Sequence, residues 1–167
     1  MLIYNFYDTD SSGMAEYNIC NEDYKVLLEI CFKYCKTMSL IITNNNSKLL
    51  KKIEKFQIEK SENIIYKFNH YDNNVLIKYY QTCSELLEVL LNTTDNIFSW
   101  INGWGYDNPE DITFYRDDGS VFFTSIIHNG KCSLFVRKNE DVSLIIKNKL
   151  WIQSQQSGQS GDGSVID

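Results

Sequence analysis

The residues best suited to chemistry crowd into one stretch. Asp107, Glu110, Asp111, Asp117 and Asp118 surround a single arginine, Arg116, and His128 follows a short way on. Carboxylates grouped like this could do acid–base work or bind a cation, and His128 beside them would make a hydrolase-like Asp/Glu/His site. The same residue types also serve turns. Asp117 and Asp118 precede Gly119, while Glu110 and Asp111 follow Asn108-Pro109 as they would in the first turn of a capped helix. On that reading they shape the backbone, and no catalytic residue is assigned. Trp104, held between Gly103 and Gly105, joins Asp107, Glu110, Asp111, Arg116, Asp117, Asp118 and His128 as a candidate binding residue.

Other chemistries find less support. Cys31 and Cys35 stand one helical turn apart and could share a metal with Cys20 or a histidine, but there is no C-x2-C pair and both fall on an apolar stripe. Core packing explains them better, and neither a metal nor a cofactor is expected. Cys132 and His128 could form a nucleophile–base pair, yet a hairpin places them on opposite faces, and no G-x-S-x-G element is present. The glycines around Trp104 match neither phosphate-loop pattern. Lys48, Lys51, Lys52 and Lys55 line one side of a helix, as charged outer faces ordinarily do.

The elements that must position these residues follow from periodicity. LIYNFY (2–7) reads as a strand. Asn21 suits an N-cap, and apolar residues from Tyr24 to Cys35 predict a helix over 22–36. MSLIIT (38–43) reads as a buried strand, Asn44 to Asn46 as a turn, and Ser47 as the cap of a second helix with Leu49, Leu50, Ile53 and Phe56 inside. Strands at 63–70 and 74–82 flank a hairpin turn at Tyr71-Asp72-Asn73. Thr82 and Ser84 compete to cap a third helix, with Thr82 and Glu85 at capping-box spacing. Its apolar face runs from Leu86 to Ile101, and Gly103 or Gly105 could end it.

ITFYR and SVFFTSIIH then join through Asp117-Asp118-Gly119, and Asn129-Gly130 joins the second to KCSLFVR. A two-residue turn there sets His128 opposite Lys131, Ile127 opposite Cys132, Ser125 opposite Leu134 and Phe123 opposite Val136. One face then carries Val121, Phe123, Ile127, Cys132, Leu134 and Val136 toward a core. The other carries Phe122, Thr124, Ile126, His128, Lys131, Ser133 and Phe135, which is apolar enough to call for a covering helix or partner. Asn139 or Asp141 can cap a last short helix through Val142, Ile145 and Ile146, although 140–148 also suits a strand. From 153 to 167 the chain is Ser-, Gly- and Gln-rich and reads as a flexible tail.

The run WGYDNPEDITFYRDDGSVFFTSIIHNGKCSLF resembles the C-terminal signature of a family of small soluble bacterial proteins, some labelled stage III sporulation protein AH. The shared pattern is an NPED turn, then FYR.DG, then an H-[EN]-G hairpin followed by cysteine. The resemblance implies a soluble bacterial protein and brings no catalytic residue with it. This chain has His128-Asn129-Gly130 where similar proteins have His-Glu-Gly.

A chain of 167 residues, 43% hydrophobic, holds enough apolar material for one core. The expected fold is α+β: a single layered domain over 1–152, with an antiparallel-rich mixed sheet and three to four helices. The net charge of −6 disfavours nucleic acid and would steer a basic partner toward the protein. The first 24 residues carry Asp8, Asp10, Glu16, Glu22 and Asp23 and no Lys or Arg. With no secretory signal, no apolar run long enough for a membrane helix and an odd number of cysteines, a cytoplasmic setting is expected. The functional expectation is a non-enzymatic binding protein, of the immunity or antitoxin type, for a basic protein. The competing classes are a hydrolase with an unrecognised site and a homo-oligomeric structural module.

Overall fold

The structure, a computed structural model, describes residues 1–8, 17–43, 47–68, 71–103, 106–147 and 150–154. Trp104, Gly105, His70, the turn expected at 44–46 and the tail from 155 onward lie outside the described residues. The chain folds as α+β, with ten strands: β1 (Leu2–Tyr7), β2 (Thr37–Ile42), β3 (Gln57–Phe68), β4 (Tyr71–Gln81), β5 (Asn102–Gly103), β6 (Tyr106–Asp107), β7 (Glu110–Tyr115), β8 (Val121–Ile126), β9 (Lys131–Val136) and β10 (Ile152–Gln153). Its helices are α1 (Asn21–Tyr34), α2 (Lys48–Ile53), α3 (Ser84–Leu91) and α4 (Ser143–Ile146). Eight strands form one sheet in the order β10-β1-β9-β8-β7-β2-β4-β3, and β5 pairs only with β6. Every pairing is antiparallel, so the sheet is not mixed.

The meander β7–β8–β9 sits in the middle, with β1 on one side and β2 on the other. Four antiparallel steps separate β1 from β2, so these two run parallel and need a crossover. α1 supplies it. Phe32 meets Phe114 at 5.6 Å between ring centroids, and Tyr34 meets Phe122 at 5.6 Å. Tyr24, Leu27, Leu28 and Cys31 complete the buried stripe of α1 against a single apolar cluster that includes Met38, Leu40, Phe114, Phe123 and Leu134. Burial pushes the Cys31 and Cys132 thiols well up, and that of Cys35 to about 12, so all three are inert packing groups.

Several local expectations change. Asn21 is not the cap of α1: Cys20 holds that position without a side-chain bond, and Asn21 opens the helix at φ 52 with its N–H on Asp95 O. Phe68 pairs with Tyr71, so Tyr71, Asp72 and Asn73 belong to β4 rather than to a turn. Neither Thr82 nor Ser84 caps α3. Thr82 donates its hydroxyl to Cys35 O at 2.7 Å, and Cys83 is the cap residue. The apolar run to Ile101 does not stay helical either. Thr93 and Thr94 turn their hydroxyls back onto Val89 O and Leu90 O, and Thr93 N donates to Leu90 O rather than to Val89 O, so the helical ladder tightens and ends there. A separate 3-10 turn follows at Ile97–Ser99. Ser47 does cap α2, accepting from Leu49 N, and Asp141 accepts from Ser143 N at the start of α4.

The β8–β9 hairpin is longer than a two-residue turn. Ile127–Asn129 form a 3-10 turn and Gly130 closes it at φ 58, so Ile126 pairs with Lys131 and Phe123 with Leu134. The pairing is displaced by two residues, and an even displacement leaves each side chain on its expected face. The exceptions are Val121, which pairs with Tyr115 on the outer face, and Phe122. Phe122 is the extra residue where Phe114 pairs with Phe123 but Tyr115 pairs with Val121, and this bulge turns it inward onto Tyr34. The face turned away from the core carries a polar row instead: Asn5, Ser133, Thr124, Thr113, Ser39 and Tyr79 pair directly across six strands. Ser133 donates to Asn5 at 2.7 Å, and the Thr113 and Thr124 hydroxyls meet at 2.8 Å. At the sheet edge β10 runs to Gln153, and Ser154 N donates to Ile3 O.

Candidate functional site

β7 divides the acidic cluster between its two ends. Glu110 and Asp111 open the strand rather than a helix, and both are buried. Pro109 stands before the first paired residue, where its missing N–H costs no ladder bond. Glu110 Oε2 lies 2.9 Å from His128 Nε2, and its Oε1 accepts from the Thr43 hydroxyl at 3.1 Å. Asp111 takes the left-handed conformation at φ 49 and accepts from Ile127 N at 2.7 Å. Two consecutive carboxylates thus grip the 3-10 turn that joins β8 to β9. That grip explains why the connection is not a two-residue turn. Glu110 and His128 are brought together, as a hydrolase-like site would require, but their side chains are only 5% and 10% exposed.

At the other end, Arg116 is buried with Glu140, their side chains 5% and 4% exposed. Its Nε donates to Glu140 Oε1 at 2.5 Å and one terminal nitrogen to Oε2 at 2.7 Å. The remaining N–H groups go to Val121 O at 2.6 Å, to Ser120 Oγ at 3.3 Å and to Phe135 O. All five guanidinium donors therefore have acceptors. The group also lies 5.1 Å from the Phe122 ring centre, over the bulge. Burial alone would raise the Glu140 carboxyl, but the bonds from Arg116 and Arg137 N outweigh it and hold it below the usual range. Asp118 is drawn to Ser120 and Arg137, which hold its carboxyl low, while Asp117 is exposed in the turn. These residues brace a strand reversal.

What remains of the acidic character lies elsewhere. The described ion pairs and turns absorb Glu110, Asp111, Asp118 and Glu140, whereas Asp107 is exposed at the end of β6. Residues 79–115, like residues 1–24, contain no Lys or Arg. Together the two stretches hold 11 of the 22 acids and none of the 16 cations. The fold stitches them side by side. Cys20 forms a β-bridge with Asn96, Ile97 N donates to Ile19 O, and Asn21 N donates to Asp95 O. The N-terminus of α1, with Glu22 and Asp23, therefore abuts the segment after α3, with Asp95 exposed beside it. Glu85 and Glu88 are exposed on α3 itself.

The 1–24 stretch was legible as an acidic patch. Its continuation was not sought, although the missing cations between Tyr79 and Tyr115 were a readable signal. Glu140 was missed because its neighbours Asn139 and Asp141 look like caps. Thr43 was missed because it closes an apolar strand. No family model matches the chain, and neither a curated protein nor a solved structure matches it.

Proposed function

We propose that the chain is a non-enzymatic binding protein whose two joined acidic stretches dock a basic protein, in the manner of an immunity or antitoxin-type protein facing a basic toxin. One observation carries this reading. Two stretches that lack Lys and Arg and together hold half of the acids are joined by backbone hydrogen bonds between residues 19–21 and 95–97. Such a one-signed field raises the association rate of a cationic partner and disfavours nucleic acid.

The test uses the full chain immobilised against an extract of its native host, beside two charge-reversed forms. One carries E22K, E85K, E88K, D95K and D107K; the other reverses Glu54, Glu59, Glu62, Asp117 and Asp118. A basic protein retained by the parent and by the second form, but lost by the first, is the expected result. Retention that is indifferent to the first set, or recovery of no basic protein at all, overturns the reading.

The enzymatic alternative rests on the Glu110–His128 hydrogen bond. The other oxygen of Glu110 is taken by Thr43, and both side chains are nearly closed to solvent. Their arrangement suits fixing a turn better than receiving a substrate, so binding is the stronger conclusion.

A further inference from the structure

A cleft of about 330 Å³ opens at the C-terminal end of α3, lined by Asn92, Thr93, Thr94, Asp95, Ser99 and Asn108 together with Leu91. Its hydrogen-bonding inventory is one-sided. The hydroxyls of Thr93, Thr94 and Ser99 donate to Val89 O, Leu90 O and Asn96 O at 2.7, 2.8 and 2.7 Å. Asn108 Nδ2 donates to Ser99 O at 2.8 Å. The backbone N–H groups of Asn92, Thr93, Thr94, Ser99 and Asn108 are likewise spent on carbonyls. The walls are thus left mainly with acceptors: the Asp95 oxygen not engaged by the Asn96 amide, Asn108 Oδ1 and the Thr93 and Ser99 oxygens, the Thr94 oxygen being taken by Tyr24. The last carbonyls of α3 add the negative end of the helix dipole. Among the described bonds, the donors not engaged on the lining side chains are those of the Asn92 amide and the second N–H of Asn108.

We infer that this cleft receives an arginine side chain of the basic partner. A guanidinium is the complement of such a wall, because it carries five donors, no acceptor and a permanent positive charge. An anionic group would meet acceptors it cannot satisfy, which disfavours phosphates and carboxylates, and a neutral donor lacks the charge that complements Asp95. A lysine ammonium shares the charge but presents three donors from one atom, where a guanidinium spreads five over a plane. All the residues lining the cleft, from the end of α3 to Asn108, belong to the stretch 79–115 that carries no Lys or Arg. This inference rests on the reading of the protein as a binder of basic proteins and gives that surface its anchor point.

The experiment is a nitrogen-15 NMR titration of the full chain with N-acetyl-arginine methylamide and, separately, with its neutral isostere N-acetyl-citrulline methylamide. The expected result is shift changes confined to residues 91–96, Ser99 and the Asn108 side-chain amide. Binding should be about tenfold or more tighter for the arginine probe, since it alone makes charge-assisted hydrogen bonds. D95N and N108A should each weaken it, while E59Q/E62Q, on β3, should leave it unchanged. Shifts scattered over all carboxylates, or equal binding of citrulline, would overturn the inference. The two proposals separate cleanly. A basic host protein held as tightly by D95N/N108A as by the parent sinks the arginine anchor alone. Localised arginine binding without any basic partner in the host extract sinks the functional reading alone.

Discussion

Arg116 and Glu140 are joined by two hydrogen bonds, of 2.5 and 2.7 Å, with both side chains almost wholly buried. Because the Arg116 guanidinium has all its donors satisfied, removing either partner strands a charge away from water. E140Q is expected to cost roughly 3–5 kcal/mol in urea unfolding. The double replacement R116M/E140M should cost less than the sum of the two single changes, since it leaves no uncompensated charge.

The same pair sets a pH response. The Glu140 carboxyl is held below its ordinary value of 4.5, so its contribution is fully present above about that pH and is lost as pH falls through the lower folded value. Unfolding free energy measured from pH 6 downward should fall in the parent over that acid window. E140Q should show a shallower fall, and equal slopes would remove the pair from the acid response.

Gly130 is constrained twice. It sits at φ 58, and a Cβ built there would lie 2.1 Å from the Asp8 carboxyl carbon. Gly119 has a similar φ of 78 but nothing within 4 Å. G119A should therefore cost only the left-handed backbone penalty of about 1–2 kcal/mol. G130A should cost clearly more, and D8A introduced beside it should recover the excess. Equal losses for G119A and G130A would show that Asp8 moves aside freely.

How much of this was written in the sequence depends on the range of the interaction involved. β1, α1, β2 and the β7–β8–β9 meander follow from local period and turn residues, and they appear where expected. The α+β class follows from them. Glu110 and Asp111 could not be placed that way. After Asn108-Pro109 they look like a helix start, and what draws them into a strand is a turn at 127–129 that is distant in sequence. Phe122 faced the wrong way on paper because a bulge cannot be counted from alternation alone. The cluster of acids around Arg116 was split for the same reason: its partner, Glu140, lies beyond another strand. The joining of the two Lys- and Arg-free stretches depends on backbone bonds between the residue pairs 19–97 and 21–95, which no local pattern announces.

Asp111 combines a left-handed backbone with an acceptor role toward Ile127 N. Asn tolerates that conformation and keeps a side-chain oxygen, so D111N should stay within about 1 kcal/mol of the parent. D111A keeps neither advantage and should cost about 2–4 kcal/mol, the backbone strain adding to a buried N–H left without a partner. Denaturant midpoints decide between them. D111A as mild as D111N would mean that the grip on the 3-10 turn contributes little.

Tyr24 stands at the centre of a buried chain of hydrogen bonds whose direction is fixed. The Thr94 hydroxyl donates to Leu90 O at 2.8 Å, so it must accept from the Tyr24 hydroxyl at 2.6 Å, which in turn accepts from Trp100 Nε1 at 3.0 Å. Burial pushes the Tyr24 phenol well up, so it keeps the proton this chain needs across the working range of pH. Y24F leaves the Trp100 N–H without an acceptor and the Thr94 oxygen without its donor. The expected loss is about 1–3 kcal/mol, together with a change in the near-UV signal of Trp100. T94V removes the far end of the chain but leaves the Trp100–Tyr24 bond in place, so it should destabilise while disturbing the tryptophan signal less. If both variants perturbed Trp100 equally, the chain would be acting through packing rather than through directed hydrogen bonds.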